Sequence, residues 1–141
     1  MHVTNEIIHT AYDFYVTSFN KFDLGVALFA DDLERETWNM LTEDEFRAKV
    51  FQFEDRFDEL VEIGPINKGI WLQFKYPNGY GASVVWHIFS IGREDGLWEL
   101  AVLDKDENID CSTSVANDIV GNLTPDGVKE LLDKIKNLEA K

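Results

Sequence analysis

Residues 69–104, "GIWLQFKYPNGYGASVVWHIFSIGREDGLWELAVLD", decide the fold. Apolar and polar side chains alternate along this stretch with a period of two, the spacing of a strand with one buried face. "PNG" at 77–79 and "GREDG" at 92–96 break the alternation with turn-forming residues, giving strands over 69–76, 80–91 and 97–104. A further strand is predicted over 109–115, "IDCSTSV", beyond the turn "KDEN" at 105–108. Connections this short join neighbouring strands, so the pattern predicts a four-stranded antiparallel meander.

Both flanks of the sheet read as helical. Downstream, Thr124 is placed to cap a helix with Pro125 at its first position. Val128, Leu131, Leu132, Ile135 and Leu138 form its apolar stripe, while Lys134, Lys136 and Lys141 complement the dipole at its end. Upstream, Ile8, Tyr12, Tyr15, Phe19 and Phe22 recur at helical spacing, with Ile7, Ala11 and Phe14 widening the stripe and Thr4 or Asn5 as cap. Asp23 offers a cap for "LGVALFADDL" (24–33), in which Leu24, Ala27 and Leu28 recur a turn apart. "ERETWNML" (34–41) fits either a helix or a short strand.

Residues 42–64, "TEDEFRAKVFQFEDRFDELVEIG", hold eight carboxylates against three basic side chains. Thr42 and Glu45 have the spacing of a capping box, with Leu41 and Phe46 placed as a hydrophobic staple. At about 100° per residue, Phe46, Val50, Phe53, Phe57, Leu60 and Val61 share one side of a helix. Arg47 flanks that stripe on one edge, Lys49 and Arg56 on the other. Asp44, Asp55, Asp58, Glu59 and Glu62 take the opposite side, and Gly64-Pro65 supplies the stop. Phe51 falls within the acidic sector. The carboxylates would recur about every 5–6 Å along the axis, close to the phosphate repeat of a nucleic-acid strand. Two readings stay open: a solvated helix back, or a face that Asp44, Phe51, Asp55, Asp58, Glu59 and Glu62 present to a partner.

No linker, repeat or low-complexity tract divides the chain. The sequence therefore predicts one α+β domain over 1–141, mainly helical and acidic to residue 64 and sheet plus C-terminal helix thereafter, with the helices on one face of the sheet. A chain of 141 residues that is 45% hydrophobic can bury a core, which excludes wholesale disorder. No apolar run reaches the length needed to cross a bilayer, and the opening "MHVTNEIIHT" has neither a basic n-region nor an apolar h-region, so no secretory signal is expected. The lone Cys111 suits a reducing compartment. "NLT" (122–124) matches a glycosylation sequon but reads as a helix start.

The net charge is −14 and uneven: residues 1–63 hold 15 acidic and 5 basic side chains, residues 64–141 hold 12 and 8. Such a field repels nucleic acid and anionic membranes and attracts basic protein surfaces. The partner expected from charge is a protein with a basic surface.

Motifs for chemistry are weak. Asp104, Asp106, Asn108 and Asp110 alternate as in a calcium loop, but the positions that need Gly and Glu hold Ile109 and Val115. His2, His9 and His87 are too scattered for a metal site, and His87 alternates with Val85 and Phe89 as a hydrogen-bonded strand residue would. No nucleophile elbow is present, and Gly79-Tyr80-Gly81 lacks the later glycine and helix of a phosphate loop. The sequence assigns no catalytic residue, metal or cofactor.

Residues 76–138 carry "NGYGASVV", "GLWELAVLD" and "NDIVGNLT", followed by "LLDKI". This pattern resembles a family of small bacteriophage and prophage proteins of unassigned role, departing where "IDCSTSV" stands in place of "YDTP". The resemblance implies a viral origin and action in the cytoplasm of a bacterial host. It also suggests, with the charge, an acidic inhibitor of a host nucleic-acid-handling or defence protein, of the anti-restriction or anti-CRISPR type that mimics nucleic acid. A virion or assembly accessory role is an alternative. A second stretch, "AYDFYVTSFNKFDLGVALFADDLERETW" (11–38), resembles the opening of the cone-shaped fold of nuclear transport factor two, matching at Asp23, Leu28, Phe29, Ala30, Asp31 and Asp32. That likeness implies a ligand pocket or enzyme site lined by Tyr80, Trp86, His87 or Trp98.

Overall fold

The computed structural model describes residues 1–22 and 38–140. The predicted helix following Asp23, the ambiguous segment 34–41 up to Thr37, and the six residues matched to the cone fold lie outside the described residues. Among the described residues the fold is α+β, with a five-stranded antiparallel sheet in meander order. The strands are β1 (Leu60–Ile66), β2 (Gly69–Lys75), β3 (Gly81–Trp86), β4 (Trp98–Leu103) and β5 (Val120–Leu123). The helices are α1 (Asn5–Lys21), α2 (Glu43–Phe51) and α3 (Pro125–Lys136).

Register places one row of side chains from each inner strand on a common face: Leu72 opposite Val84 opposite Leu100, and Phe74 opposite Ala82 opposite Val102. With Ile70, Trp86 and Trp98 these form a core closed by Ile8, Ala11 and Tyr15 of α1, Phe46 and Val50 of α2, and Val128, Leu132 and Ile135 of α3. All three helices therefore pack on one side. Trp71 belongs to the other side, half-exposed, with its indole N–H donating to Ser83 Oγ at 3.0 Å. Lys49 lies over the edge of the core, its Nζ 4.1 Å from the Trp86 ring centroid, a cation–π contact that satisfies a charge depressed in pKa by burial.

The helix starts follow the sequence closely. Thr4 caps α1, Thr42 and Glu45 form the reciprocal capping box of α2, and Thr124 caps α3 ahead of Pro125. Entry to α2 is fixed by two tyrosines: Tyr12 Oη donates to Leu41 O at 2.8 Å, and Leu41 N–H donates to Tyr15 Oη at 3.0 Å.

Three elements differ from the sequence reading. The long acidic helix stops at Phe51; a 3-10 turn (Glu54–Glu59) follows, and residues from Leu60 onward are strand. Gly64-Pro65 lies inside β1 rather than ending a helix, and the common helical side of Phe53, Phe57, Leu60 and Val61 is lost. The cause is tertiary pairing. Asn67 and Lys68 both adopt positive φ, 42° and 62°, and form a two-residue hairpin turn that zips residues 60–66 against β2. Gly69 must be glycine, because an added Cβ would lie 1.9 Å from Trp86 O.

The segment 109–115 contributes only a single bridge, Ile109 opposite Leu103, and the last strand is Val120–Leu123. Asp110 turns the chain away by accepting from Ser112 N at 2.8 Å, a side-chain bond that replaces the ladder. The strand that was to run to Ile91 ends at Trp86 for a similar reason. Ser90 Oγ accepts from His87 N at 3.0 Å and donates to His87 O at 2.9 Å, closing a turn.

Asn78, in the β2–β3 turn, ties the C-terminal end of α3 to the sheet. Its Nδ2 donates to the carbonyls of Ile135 (2.8 Å), Leu138 (3.0 Å) and Lys136 (3.2 Å), while its Oδ1 accepts from Tyr80 N at 3.0 Å. Asn78→Ala takes the side-chain donor from those carbonyls, of which Ile135 O keeps the Leu138 N–H at 3.1 Å, and a loss of about 1–3 kcal/mol is expected in urea unfolding. A loss below about 0.5 kcal/mol would mean that the helix end holds itself.

Candidate functional site

Of the eight acidic residues of the 42–64 segment, Glu43 bonds His9 and Glu45 accepts from the Thr42 amide, and the other six separate into two groups. Asp55 and Glu59 face α3. Asp55 pairs with Lys129 at 3.1 Å and Arg56 at 3.2 Å, and the Lys129 bond chiefly holds its carboxyl below the usual range. Glu59 accepts from Tyr76 Oη at 3.0 Å and Lys136 Nζ at 3.1 Å, and Arg56 reaches Asp133 at 3.0 Å. Burial first, then the Glu59 charge, pushes the Tyr76 phenol upward and keeps it protonated as donor. These acids join the 3-10 turn to the last helix.

The second group remains outward. Asp44, Glu54, Asp58 and Glu62 are exposed and carry no ion pair among the described residues. Asp58 and Glu54 border a depression of about 410 Å³ lined also by Met1, His2, Val3, Phe51 and Phe57. Phe51 is half-buried there and meets Phe57 edge-on, ring centroids 5.2 Å apart. Glu62 lies in an adjoining groove of about 340 Å³ between α1 and β1, where Ile7, Ala11, Phe14, Val61 and Ile63 form the floor and Glu6 the opposite rim. Met1 lines both and donates from its amino nitrogen to Phe57 O at 2.6 Å.

Of the six residues singled out from sequence, Phe51 and Asp58 thus share one depression and Glu62 the next. Asp44 sits apart in the first turn of α2, and Asp55 and Glu59 are engaged with α3. The carboxylates follow no single helical row, so the phosphate-like repeat is not built. Sequence reasoning missed Phe14, 63% exposed, and Val61, 47% exposed, because helical spacing placed both on buried stripes.

Among the described residues no group of three or more His, Cys, Asp or Glu converges as a metal site, and no helix is long and apolar enough to cross a membrane. The carboxylate of Asp104 is instead engaged locally, its Oδ1 accepting from the amides of Asp106 and Asn108 at 2.9 and 3.1 Å. A larger depression of about 520 Å³, between turns 77–80 and 104–106, holds Asn78, Tyr80, Asp104, Lys105 and Asp106. None of these three depressions is lined by Trp86, His87 or Trp98, all of which are buried. Comparison with family models, curated proteins and solved structures gives no match.

His87 illustrates why a buried histidine is not by itself a base. Its Nδ1 accepts from Phe89 N at 3.0 Å, and burial lowers its pKa to about 4. His9, by contrast, is raised, chiefly by its 2.7 Å bond to Glu43, which joins α1 to α2. For His87 the unfolded chain takes up a proton first, so stability falls as pH drops through 6.5 and levels off near the folded value of about 4. For His9 the stabilisation is present below 6.5 and is lost as pH rises through the elevated folded value. An NMR titration is expected to show His9 protonating above 6.5 and His87 neutral until about 4. Glu43→Gln should bring His9 down and leave His87 unmoved. A His87 midpoint near 6.5 would mean that its ring reaches solvent.

Proposed function

We propose that this protein is a non-enzymatic binding protein that presents carboxylates to a cationic protein surface. The observation that carries the reading is the division of the acids: Glu6, Glu54, Asp58 and Glu62, without ion pairs among the described residues, border two adjoining depressions with apolar floors, whereas Asp55 and Glu59 are engaged with α3 and Asp44 stands apart. An acidic rim around exposed apolar side chains combines electrostatic steering with a desolvated contact, the usual division of labour in a protein interface. The working surface is Phe51, Glu54 and Asp58 with Glu6, Phe14, Val61 and Glu62. Asp44 adds to the field from α2.

The resemblance of residues 76–138 to phage proteins supports a partner of the bacterial host. The charge supports a nucleic-acid-handling or defence protein whose basic groove the acids would occupy, inhibiting it in the cytoplasm. The experiment is affinity capture from a bacterial lysate at low and high salt, repeated with an Asp58→Lys, Glu62→Lys double variant. Capture of a nucleic-acid-binding protein, lost at high salt and weakened about tenfold or more by the double variant, is the expected result. Asp55→Lys should instead lower thermal stability, by setting a lysine against Lys129 and Arg56. Undiminished capture by the double variant would contradict the proposal.

A further inference from the structure

We infer that the edge of β1 takes up an extended, cationic segment of the partner as an added strand seated in the groove between α1 and β1. This rests on the binding reading above and adds the mode of engagement. Among the described residues β1 ends the sheet and pairs with β2 alone. In a two-residue hairpin the residues flanking the turn, Ile66 and Gly69, form a hydrogen-bonded pair, and so by alternation do Gly64 and Trp71. Ile63 and Pro65 take the intervening positions, with their backbone groups pointing away from β2. Pro65 fits that position because it has no N–H for the ladder. The edge thus offers the Ile63 N–H and the Ile63 and Pro65 carbonyls to a newcomer.

The side chains along this edge state what the newcomer should carry. Toward α1 the groove floor is aliphatic and aromatic, with Phe14 and Val61 substantially exposed. Toward the opposite face of the sheet stands Glu62, opposite Gln73, and Glu6 borders the groove on α1. Neither carboxylate is ion-paired among the described residues. An arriving strand alternates its side chains, so aliphatic residues meet Phe14 and Val61 while lysines or arginines meet Glu62. A second copy of this chain is a poorer occupant: antiparallel pairing of two β1 edges would bring like charges together between bodies of −14 each. An anionic membrane is repelled on the same ground.

The test uses the full chain and three acetylated, amidated octapeptides, followed by NMR amide shifts and by titration. One alternates Lys and Val, the second is the same peptide N-methylated at every residue, and the third alternates Glu and Val. The Lys-Val peptide is expected to bind, shifting the Ile63 amide, the one N–H that residues 63–66 turn away from β2. Its affinity should fall about tenfold or more on N-methylation, in high salt, and in Phe14→Ser, whose exposed position leaves the fold intact by circular dichroism. The Glu-Val peptide should not bind. Equal binding of the N-methylated peptide would overturn strand addition and leave a cationic partner standing. Failure of both Lys peptides to bind would overturn the cationic-partner reading as well. Phe14-dependent self-association in sedimentation would give the groove to a second copy and overturn the inference.

Discussion

The turn at Asn67-Lys68 is the constraint on which the acidic half depends. Two successive residues in the left-handed region leave a right-twisted hairpin as the only convenient path, and Gly69 lets β2 begin against the backbone of Trp86. Once that register is set, Leu60 enters the core opposite Phe74, and Glu62 points to the opposite face of the sheet. The bulge at Val61 lets the chain leave the 3-10 turn and presents that side chain beside Phe14. A one-residue slip would exchange the two faces and bury carboxylates.

Electrostatics then divides labour among residues that look alike in the sequence. Asp55 and Glu59 are surrounded by Arg56, Lys129, Lys136 and the Tyr76 hydroxyl, so their charge is neutralised while joining the middle of the chain to its last helix. Each such exposed pair contributes little alone, but together with the Asn78 amide on the helix end they fix α3 against the β2–β3 hairpin. Glu6, Glu54, Asp58 and Glu62 have no such partners among the described residues. Their field lies on a side of the molecule where Phe14 and Val61 are also exposed, and the proposed protein partner rests on the coincidence of the two.

Much of the fold was legible because local and tertiary preferences agree. The strand alternation of 69–76 and 97–104, the Thr42–Glu45 box and the Thr124-Pro125 start are signals that neighbouring residues reinforce, and each element stands where it was expected. Residues 60–66 were misread because Phe57, Leu60 and Val61 satisfy the helical period as well as "LVEI" satisfies a strand; a partner strand fourteen or fewer positions away decided the matter. The edge strand Val120–Leu123 was hidden by its brevity and by the better β propensity of "IDCSTSV", which Asp110 and its bonds to Ser112 convert to a turn. The candidate surface was legible as charge but not as geometry. Its acids were found, yet which were already paired depended on Lys129 and Lys136, some 75 residues away.

Amide hydrogen exchange along residues 60–66 of the free protein tests the central claim most directly, namely that the chain leaving the acidic segment is a sheet edge open on one side. Slow exchange at Gly64 and Ile66, whose amides face β2, alternating with fast exchange at Ile63, is the expected result. Uniform protection across Val61, Ile63 and Gly64, as a continuous helix or a covered edge would give, would contradict it.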